Sequence, residues 1–282
     1  MKTSVTPAQK RALDRMRSRM MKRAYPQKVE TAYLRQLNAL LNAISADALE
    51  TIKATPGYTA DSFSDYVARL IESFMGRWAS HRVRQFAEHV ARMFVSDSLS
   101  QAVRDVQFPN EDDAFSVNGV QSPEMREALR IATEQNAQLI QSLARQHCDA
   151  IASKVYANVQ AGARPSSLVS EIRDYGATKA RAKFIARDQT AKVMSTISRV
   201  RQQAAGFRYF KWSTSHDERV RQEHREVANR ITPYGKGVYS WDDLPVIHGE
   251  HLAPGGDFQC RCVALPVPDW EIEEWKKRRR SS

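Results

Sequence analysis

The residue types with the most chemical potential are concentrated near the C-terminal end of the sequence. Between residues 206 and 270 the chain carries four of its seven histidines and two of its three cysteines: His216, His224, His248, His251, Cys260 and Cys262. Zinc binds cysteine thiolates and histidine nitrogens in tetrahedral sites, and the two cysteines with His224 and either His248 or His251 supply four such ligands. The candidate metal ligands are therefore His224, His251, Cys260 and Cys262. A structural zinc ion is the one cofactor that the sequence suggests.

The spacing of the two cysteines leaves an alternative open. Only Arg261 separates Cys260 from Cys262, whereas common zinc sites place two to four residues between cysteines. In an extended strand alternate side chains point to the same face, so both sulfurs can still reach one ion. The alternative is that both cysteines are small buried apolar side chains and that His224 hydrogen-bonds a neighbouring carboxylate. A disulfide between residues two apart would be strained and is not expected.

A catalytic interpretation of the same region is the weaker one. His216, Asp217 and His224, with nearby arginines to hold a phosphate, would suit metal-assisted hydrolysis of a phosphodiester. Asp217 and Glu218 fit better as caps of a helix in the stretch 217–229, because negative charge is favoured at a helix N-terminus. The chain has no His-Glu-x-x-His, Gly-x-Ser-x-Gly or P-loop pattern. We therefore predict no catalytic residues.

The elements that must position these side chains change in type at Gly206. Upstream, apolar residues recur every three or four positions, which predicts long helices, among them a single helix over residues 62–106. Downstream, the alternating segment 207–212 predicts a strand, and frequent prolines and tryptophans predict short strands and ordered loops. The fold class is therefore α+β: a long, mainly α-helical N-terminal region followed by a small Trp- and His/Cys-rich α+β domain.

Four segments follow from this change in pattern. We predict a helical N-terminal region with a basic arm at residues 1–28, a second helical region, the small α+β domain and a basic tail, with bounds at residues 1–110, 111–205, 206–270 and 271–282. Ser122 followed by Pro123 predicts a helix N-terminus in the second region. A domain of about 65 residues buries little apolar area, which favours a metal ion as an added crosslink.

The composition excludes several classes of protein. Three cysteines in 282 residues exclude a disulfide scaffold, and we expect folding in a reducing cytoplasm. No apolar run reaches about 18 residues, so no membrane span and no membrane partner are expected. The first residues lead into Lys10 and Arg11 without an apolar stretch, so a secretory signal is not expected either.

The net charge of +11 is unevenly distributed along the chain. Residues 1–28, 179–211 and 276–280 together carry +21, so the remainder carries −10. Clustered lysines and arginines favour a polyanionic partner, although DNA, RNA and an acidic protein surface are equivalent on charge alone. Solvated basic faces and tails are the alternative. The candidate nucleic-acid-binding residues lie on one side of a helix predicted over residues 179–204 and in the C-terminal tail. They are Arg181, Lys192, Arg199, Lys276, Lys277, Arg278, Arg279 and Arg280.

An ordered set of short strings resembles one known family. Ala186-Arg187-Asp188-Gln189-Thr190 is followed by Trp212-Ser-Thr-Ser, Asp217-Glu218-Arg219-Val220-Arg221 with His224, and Pro254-Gly-Gly-Asp-Phe-Gln-Cys-Arg-Cys262. In order and spacing this resembles the phage Mu protein F-like family of head-morphogenesis, or minor capsid, proteins, over residues 120–268. Many family members have His-Pro-Asn before Cys-Arg-Cys, where this chain has Asp257-Phe258-Gln259. A fourth metal ligand at position 257 is therefore not carried over from the family.

The resemblance implies a role in assembling a phage head. It implies a non-catalytic, low-copy component of the capsid interior near the portal, made in the host cytoplasm during assembly. Its partners would be the portal protein and packaged double-stranded DNA, with scaffold or major capsid protein as further candidates. The alternatives are a metal-dependent DNA-processing nuclease using His216, Asp217 and His224, and a protein that only condenses DNA.

Overall fold

The computed structural model describes residues 5–22, 25–53, 63–108, 122–161, 176–215 and 217–281, together with residues 169 and 172. Within this part of the chain, contacts group the residues into two units that are each discontinuous in sequence. One unit contains residues 30–94 and 133–186, and the other contains residues 1–29, 95–132 and 187–282. We refer to them as the helical unit and the mixed unit. The four predicted segments follow sequence pattern alone and stay predictions.

The described residues before position 205 are mainly helical, and two further helices follow. They are α1 Pro7–Lys22, α2 Gln27–Lys53, α3 Phe63–Trp78, α4 His81–Asp105, α5 Pro123–Gln160, α6 Gly176–Ala204, α7 Gln222–Asn229 and α8 Asp269–Ser281. The predicted start at Ser122 is confirmed, because its hydroxyl accepts the backbone N–H of Met125 at 3.2 Å and Pro123 opens α5. No described helix combines the length and the apolar character that crossing a lipid bilayer requires.

The strands all follow Gly206 and are short. They are β1 Tyr209–Ser213, β2 Ile231–Thr232, β3 Gly235–Lys236, β4 Val238–Ser240, β5 Val246–Ile247, β6 Glu250–His251 and β7 Val263–Val267. β1 is the central strand of an antiparallel sheet of order β4-β1-β7, in which Phe210 lies opposite Tyr239 on one side and Pro266 on the other. β2 pairs with β3 and β5 with β6 as two small ribbons. The predicted α+β class is confirmed.

One helical prediction is wrong. Residues 62–106 do not form a single helix, since α3 ends at Trp78 and α4 begins at His81. Ser80 lies directly before α4, where serine is a favoured N-cap residue. The Trp78 indole N–H donates to a carboxylate oxygen of Asp47 at 2.7 Å, and Arg77 pairs with the same carboxylate. These contacts fix the end of α3 against α2, so the apolar periodicity continues across a break in the backbone.

The helical unit has an apolar core with one buried polar network. Leu37, Leu41 and Ile44 of α2 are fully buried. Among them lies His147, whose Nε2 is 2.8 Å from the Ser45 hydroxyl and whose Nδ1 is 3.1 Å from the Thr178 hydroxyl. Both ring nitrogens are therefore matched by hydroxyl groups from two other helices. Burial lowers the pKa of His147 from its ordinary 6.5 to about 4.

This buried histidine predicts an acid-sensitive fold. Between pH 6.5 and 4 the unfolded chain binds a proton on residue 147 that the folded chain excludes, so stability falls as the pH falls through this window. The expected contribution is at most about 3 kcal/mol. Chemical denaturation of the wild type and of His147→Gln at pH 7.5 and pH 4.5 measures it, because the variant cannot take up that proton. The loss of unfolding free energy between the two pH values should be smaller in His147→Gln.

The exposed His89 of α4 provides the matched control. His89→Gln removes the same titratable group without touching the buried network. We expect it to retain the wild-type pH dependence. Identical pH dependence in wild type and His147→Gln would contradict the assignment of the acid-sensitive step to this residue.

Candidate metal centre

Three of the four predicted metal ligands converge in the mixed unit. One ligand atom from each of His224, Cys260 and Cys262 lies within 4.8 Å of the other two. Nδ1 of His224 is 3.5 Å from both sulfurs. All three residues are buried, with exposed fractions of 2%, 5% and 7% respectively. One nitrogen and two sulfurs, facing one another out of solvent, form a donor set that suits zinc.

His224 reaches this position because α7 is amphipathic. Its buried residues are His224 and Val227, three positions apart and therefore on one face. The Tyr239 hydroxyl of β4 donates to the Val227 carbonyl at 2.8 Å, which joins α7 to the sheet. Trp212 of β1 contacts the imidazole edge-on, with ring centroids 5.6 Å apart. The short helix therefore presents its one histidine to the inner side of the sheet.

The second nitrogen of His224 is held by Asp257. Nε2 lies 3.0 Å from the Asp257 carboxylate, which also pairs with Arg221 and accepts the backbone N–H of Phe258 at 2.7 Å. A proton on Nε2 leaves Nδ1 free to bind a metal through its lone pair. Carboxylates commonly orient ligating histidines in this way. Burial raises the pKa of Asp257, but the Phe258 N–H and Arg221 outweigh it and the net pKa is lowered.

The segment of residues 254–262, which carries both cysteines and which we call the cysteine loop, is fixed by three residues of α6 that are seven positions apart. Asp188 accepts the backbone N–H of Gln259 at 2.9 Å, and the Ser195 hydroxyl donates to the Pro254 carbonyl. The Gln202 amide donates to the Ala264 carbonyl at 2.9 Å. Seven residues are about two helical turns, so the three side chains share one face of α6. The segment that carries both sulfurs is thus aligned along this face.

Backbone conformation explains two residues of the cysteine loop. Gln259 has φ +53°, a left-handed conformation that non-glycine residues adopt only when it is stabilised, and its N–H is the one bound by Asp188. Gly255 has φ +86°, and a Cβ there would lie 2.9 Å from the Cβ of Ser195. Glycine is required at 255 for both reasons. Cys260 and Cys262 precede β7 rather than lying within it, so their shared orientation comes from this turn.

The neighbours of Cys260 favour its thiolate form. A hydrogen bond from Cys262, together with the contact with His224, outweighs the effect of burial and lowers the pKa of Cys260 to about 5. The hydrogen bond with Cys260 raises the pKa of His224, while the pKa of Cys262 is raised by the same neighbouring thiolate and by burial. One thiolate is therefore shared between the two sulfurs beside the imidazole. The thiolate is the form of cysteine that ligates metals.

The structure does not bring His251 into this cluster. His251 lies in β6, is exposed, and places Nδ1 3.0 Å from the Leu244 carbonyl. His248, the alternative, is exposed in the turn between β5 and β6. Among the described residues only His224, Cys260 and Cys262 form such a group. His216 lies outside the described residues.

Asp217, the acidic residue of the catalytic alternative, is engaged in the loop that precedes α7. Asp217 accepts the backbone N–H of Arg219 at 3.1 Å and pairs with Arg261. Burial raises the pKa of Asp217, but these contacts outweigh it and the net pKa is lowered. The helix predicted in the stretch 217–229 is confirmed, but Asp217 does not cap it, since α7 begins at Gln222 and has no side-chain cap. Asp217 instead closes the turn before that helix because its carboxylate binds a backbone N–H two residues later.

The basic residues of α6 are partly engaged within the protein. Lys192 pairs with Asp188 at 2.9 Å and lies over the Phe258 ring, 4.6 Å from its centroid. The Arg199 guanidinium lies 5.8 Å from the centroid of the Trp241 ring. Arg181 belongs to the helical unit and is half-buried. The basic tail is exposed along the last turns of α8, where Lys276 pairs with Glu273 and Arg278 with Glu274. Nucleic-acid contact by either set stays a prediction.

Sequence reasoning missed the positioning residues. The roles of Asp188, Asp257 and Gln202 depend on contacts between segments that are 33 to 71 residues apart. One signal was present: the polar residues Asp188, Ser195 and Gln202 recur every seven positions and so share one face of α6. A buried polar side chain on such a face requires a partner.

Comparison with known proteins supports the family resemblance. Residues 149–265 match the family described as phage Mu protein F like protein, which confirms the resemblance over this segment. The matched segment contains α6, α7 and all three converging ligands. The match covers 117 of the 282 residues of the chain.

A curated relative matches a larger part of the chain. A Haemophilus influenzae protein (strain ATCC 51907 / DSM 11121 / KW20 / Rd), described as an uncharacterized protein, is 29% identical over 250 residues. The match covers 86% of this chain and 54% of the relative, so the chain spans about half the length of that protein. No solved structure matches the chain.

The geometry predicts stoichiometric zinc on the purified protein. Elemental analysis of wild type is expected to give about one zinc per chain, whereas Cys260→Ser/Cys262→Ser should lose it because two of three ligands are removed. Cys148→Ser is the matched control. Cys148 is also buried, but burial raises its pKa to about 12, and it belongs to the helical unit and not to this donor set. Wild-type protein free of zinc after expression in zinc-supplemented medium would contradict the prediction.

Asp257 is predicted to strengthen zinc binding without ligating the metal. Asp257→Asn weakens the acceptor that fixes the orientation of His224, so zinc affinity should fall about 10- to 100-fold. Competition with a chromophoric chelator measures the change. The exposed Asp242→Asn, in the same unit, is the control and should bind zinc like the wild type. Equal affinity in the two variants would remove Asp257 from the site.

Proposed function

We propose that this chain is a phage head-morphogenesis protein, a non-catalytic, low-copy component of the capsid interior. The observation that carries the proposal is the family match over residues 149–265. The segment it covers is also the one in which α6 aligns the cysteine loop and α7 presents His224. The family likeness and the site therefore fall on the same residues.

The arrangement of the cluster supports a structural role for its metal. His224 has both ring nitrogens engaged, and the two sulfurs are buried beside it. The cavity that adjoins the cysteines has a volume of about 80 Å³. Pockets that bind small molecules are generally about 300–1,000 Å³. The surroundings of the cluster thus suit an ion better than a substrate.

Zinc would replace missing apolar core in this part of the fold. The strands of the mixed unit are two to five residues long, and β1 and β7 are the longest. A metal held by His224, Cys260 and Cys262 crosslinks α7 to the segment before β7, two pieces of chain 36 residues apart. Closing such a loop stabilises the folded state relative to the unfolded chain. A rigid small domain is what a docking component of an assembly requires.

We infer the partners from the family resemblance and from charge. The portal protein and packaged double-stranded DNA are the proposed principal partners, with scaffold or major capsid protein as additional ones. The basic α8 tail is exposed and suits contact with phosphates or with an acidic portal surface. These partners, and a location inside the head near the portal, are proposals for a chain that spans about half of its curated relative.

A metal-dependent nuclease is the second candidate, and one observation favours it. Only three protein ligands converge among the described residues, and catalytic zinc sites characteristically keep a fourth position for water. A nuclease would cleave DNA in a metal-dependent manner that His224→Ala abolishes. Intact DNA after incubation with wild-type protein and Zn²⁺, Mg²⁺ or Mn²⁺ would remove this candidate.

The proposed function predicts incorporation into phage heads. In cells producing the phage, wild-type chain should co-purify with portal protein in proheads. Cys260→Ser/Cys262→Ser should be depleted at least tenfold by quantitative blotting because the docking domain loses its crosslink. Cys148→Ser, which leaves the cluster intact, should be incorporated normally.

Two results would count against this prediction. Wild-type chain that stays separate from proheads and portal protein throughout infection would contradict the proposed location. Normal incorporation of the double cysteine variant would show that the metal centre is dispensable for assembly.

A further inference from the structure

The N-terminal helix α1 has an inner face that is part of the mixed unit. Leu13, Met16 and Met20 are buried in a cluster with Phe207 and Leu265. These three α1 residues are spaced three and four apart, so they share one side of the helix. The basic arm predicted from sequence is therefore a docked helix over Pro7–Lys22 rather than a solvated tail.

One flank of α1 is paired with α8. Lys10 Nζ lies 2.8 Å from Glu274, and the Arg17 guanidinium holds both carboxylate oxygens of Glu271 at 2.9 and 2.8 Å. Arg17 also donates to the Pro266 carbonyl at 3.0 and 2.7 Å. Pro266 lies in β7, the edge strand of the sheet. These two bases neutralise acids of α8 and cover a strand edge, so they are committed to the fold.

The outer face of α1 carries the remaining bases. Arg11, Arg15, Arg19 and Lys22 are all exposed. At about 100° per residue they fall within a stripe about 80° wide, on the side of the helix away from the buried methionines. Their span of eleven residues is about 16 Å long. Within the described part of the chain, none of the four has an ion pair or a side-chain hydrogen bond.

The composition of this face favours a nucleic-acid backbone over a protein partner. The exposed residues that border this face are the small Ala8, Ala12 and Ser18, and one acid, Asp14, lies at its flank. A protein interface generally has aromatic or aliphatic anchors at its centre, and this face has none. Small residues let a helix approach a phosphate backbone closely, and arginine binds phosphate oxygens in a two-pronged geometry. About 16 Å of duplex axis presents about five phosphates on each strand.

We propose that the stripe Arg11, Arg15, Arg19 and Lys22 on α1 is a contact surface for the phosphate backbone of double-stranded DNA. Because the inner face of α1 is docked on the sheet and on α8, the stripe is held rigid by the mixed unit. Binding through it is independent of sequence and sensitive to salt. The inference deepens the proposed function, on which it rests, by naming the surface that meets packaged DNA.

The test measures the salt dependence of duplex binding by the full-length chain. Fluorescence anisotropy with a labelled 30-base-pair duplex of mixed sequence gives the slope of log K against log salt. The variant Arg11→Gln/Arg15→Gln/Arg19→Gln/Lys22→Gln should reduce the magnitude of this slope by about 0.9 per lost contact, or about 3.6 in all. Its thermal melting should match the wild type because the four side chains are exposed.

A charge-matched control separates the stripe from net charge. Arg69, Arg84, Arg92 and Arg126 are exposed on other helices. Changing these four to glutamine removes the same charge, and the slope should stay within about one unit of the wild type. Equal loss of slope in the two quadruple variants would overturn the proposal in favour of a diffuse electrostatic effect.

The remaining outcomes also decide the matter. An unchanged slope in the stripe variant, with a wild type that binds duplex, would overturn the proposed surface and leave the proposed function intact. Competition by polyglutamate as strong as by unlabelled duplex, at equal charge concentration, would assign the stripe to an acidic protein and overturn the proposal. A wild type that enters proheads yet fails to bind duplex at low salt would overturn the DNA surface alone, whereas exclusion from proheads would contradict the proposed function.

Discussion

The bond between the Asp188 carboxylate and the backbone N–H of Gln259 determines how the candidate site is built. Gln259 has a left-handed conformation that an ordinary side chain disfavours, so the turn persists only when its N–H is held. That turn directs Cys260 and Cys262 toward His224. Asp188 is buried and also pairs with Lys192, so its charge is compensated within the protein. Without this anchor, the sulfurs and the imidazole would have no fixed common position.

The β-structure of the mixed unit is limited to short strands, so other contacts must hold the fold together. Its sheet is three strands wide, and its core relies on large aromatic side chains such as Phe210, Trp212 and Trp241. Phe210 and Trp241 pack with ring centroids 4.1 Å apart. Aromatic rings bury much area per residue, but they do not fix loops. Fixing the loops falls to polar contacts along α6 and, on our proposal, to a metal.

The sequence predicted more of the chemistry than of the geometry. The α+β class followed from periodicity, and the three converging residues, His224, Cys260 and Cys262, followed from residue type. Both apolar spacing and donor chemistry are local properties of the sequence. His251 does not lie with the cysteines because the ribbon β5–β6 holds it at the surface, and nothing in the local sequence indicates that ribbon. The break between α3 and α4 was missed because the apolar stripe continues across it. Asp257 was left without a role because its partner, His224, lies 33 residues away.

Sequence alone also does not tell which basic residues are paired inside the fold. The segments at 1–28 and 179–211 each carry +8, and sequence alone treats these charges as equivalent. In the structure Arg17 binds an acid and a strand edge, Lys192 compensates a buried carboxylate, and Arg199 lies against an indole. A base that is paired inside the fold contributes little field to the surface. The surface field of this protein is therefore set by which bases the fold leaves unpaired, and on α1 that selection follows directly from the helical repeat. The apolar side of α1 packs into the core, and Lys10 and Arg17 on its flank pair with acids of α8. Only the opposite side stays available to a polyanion.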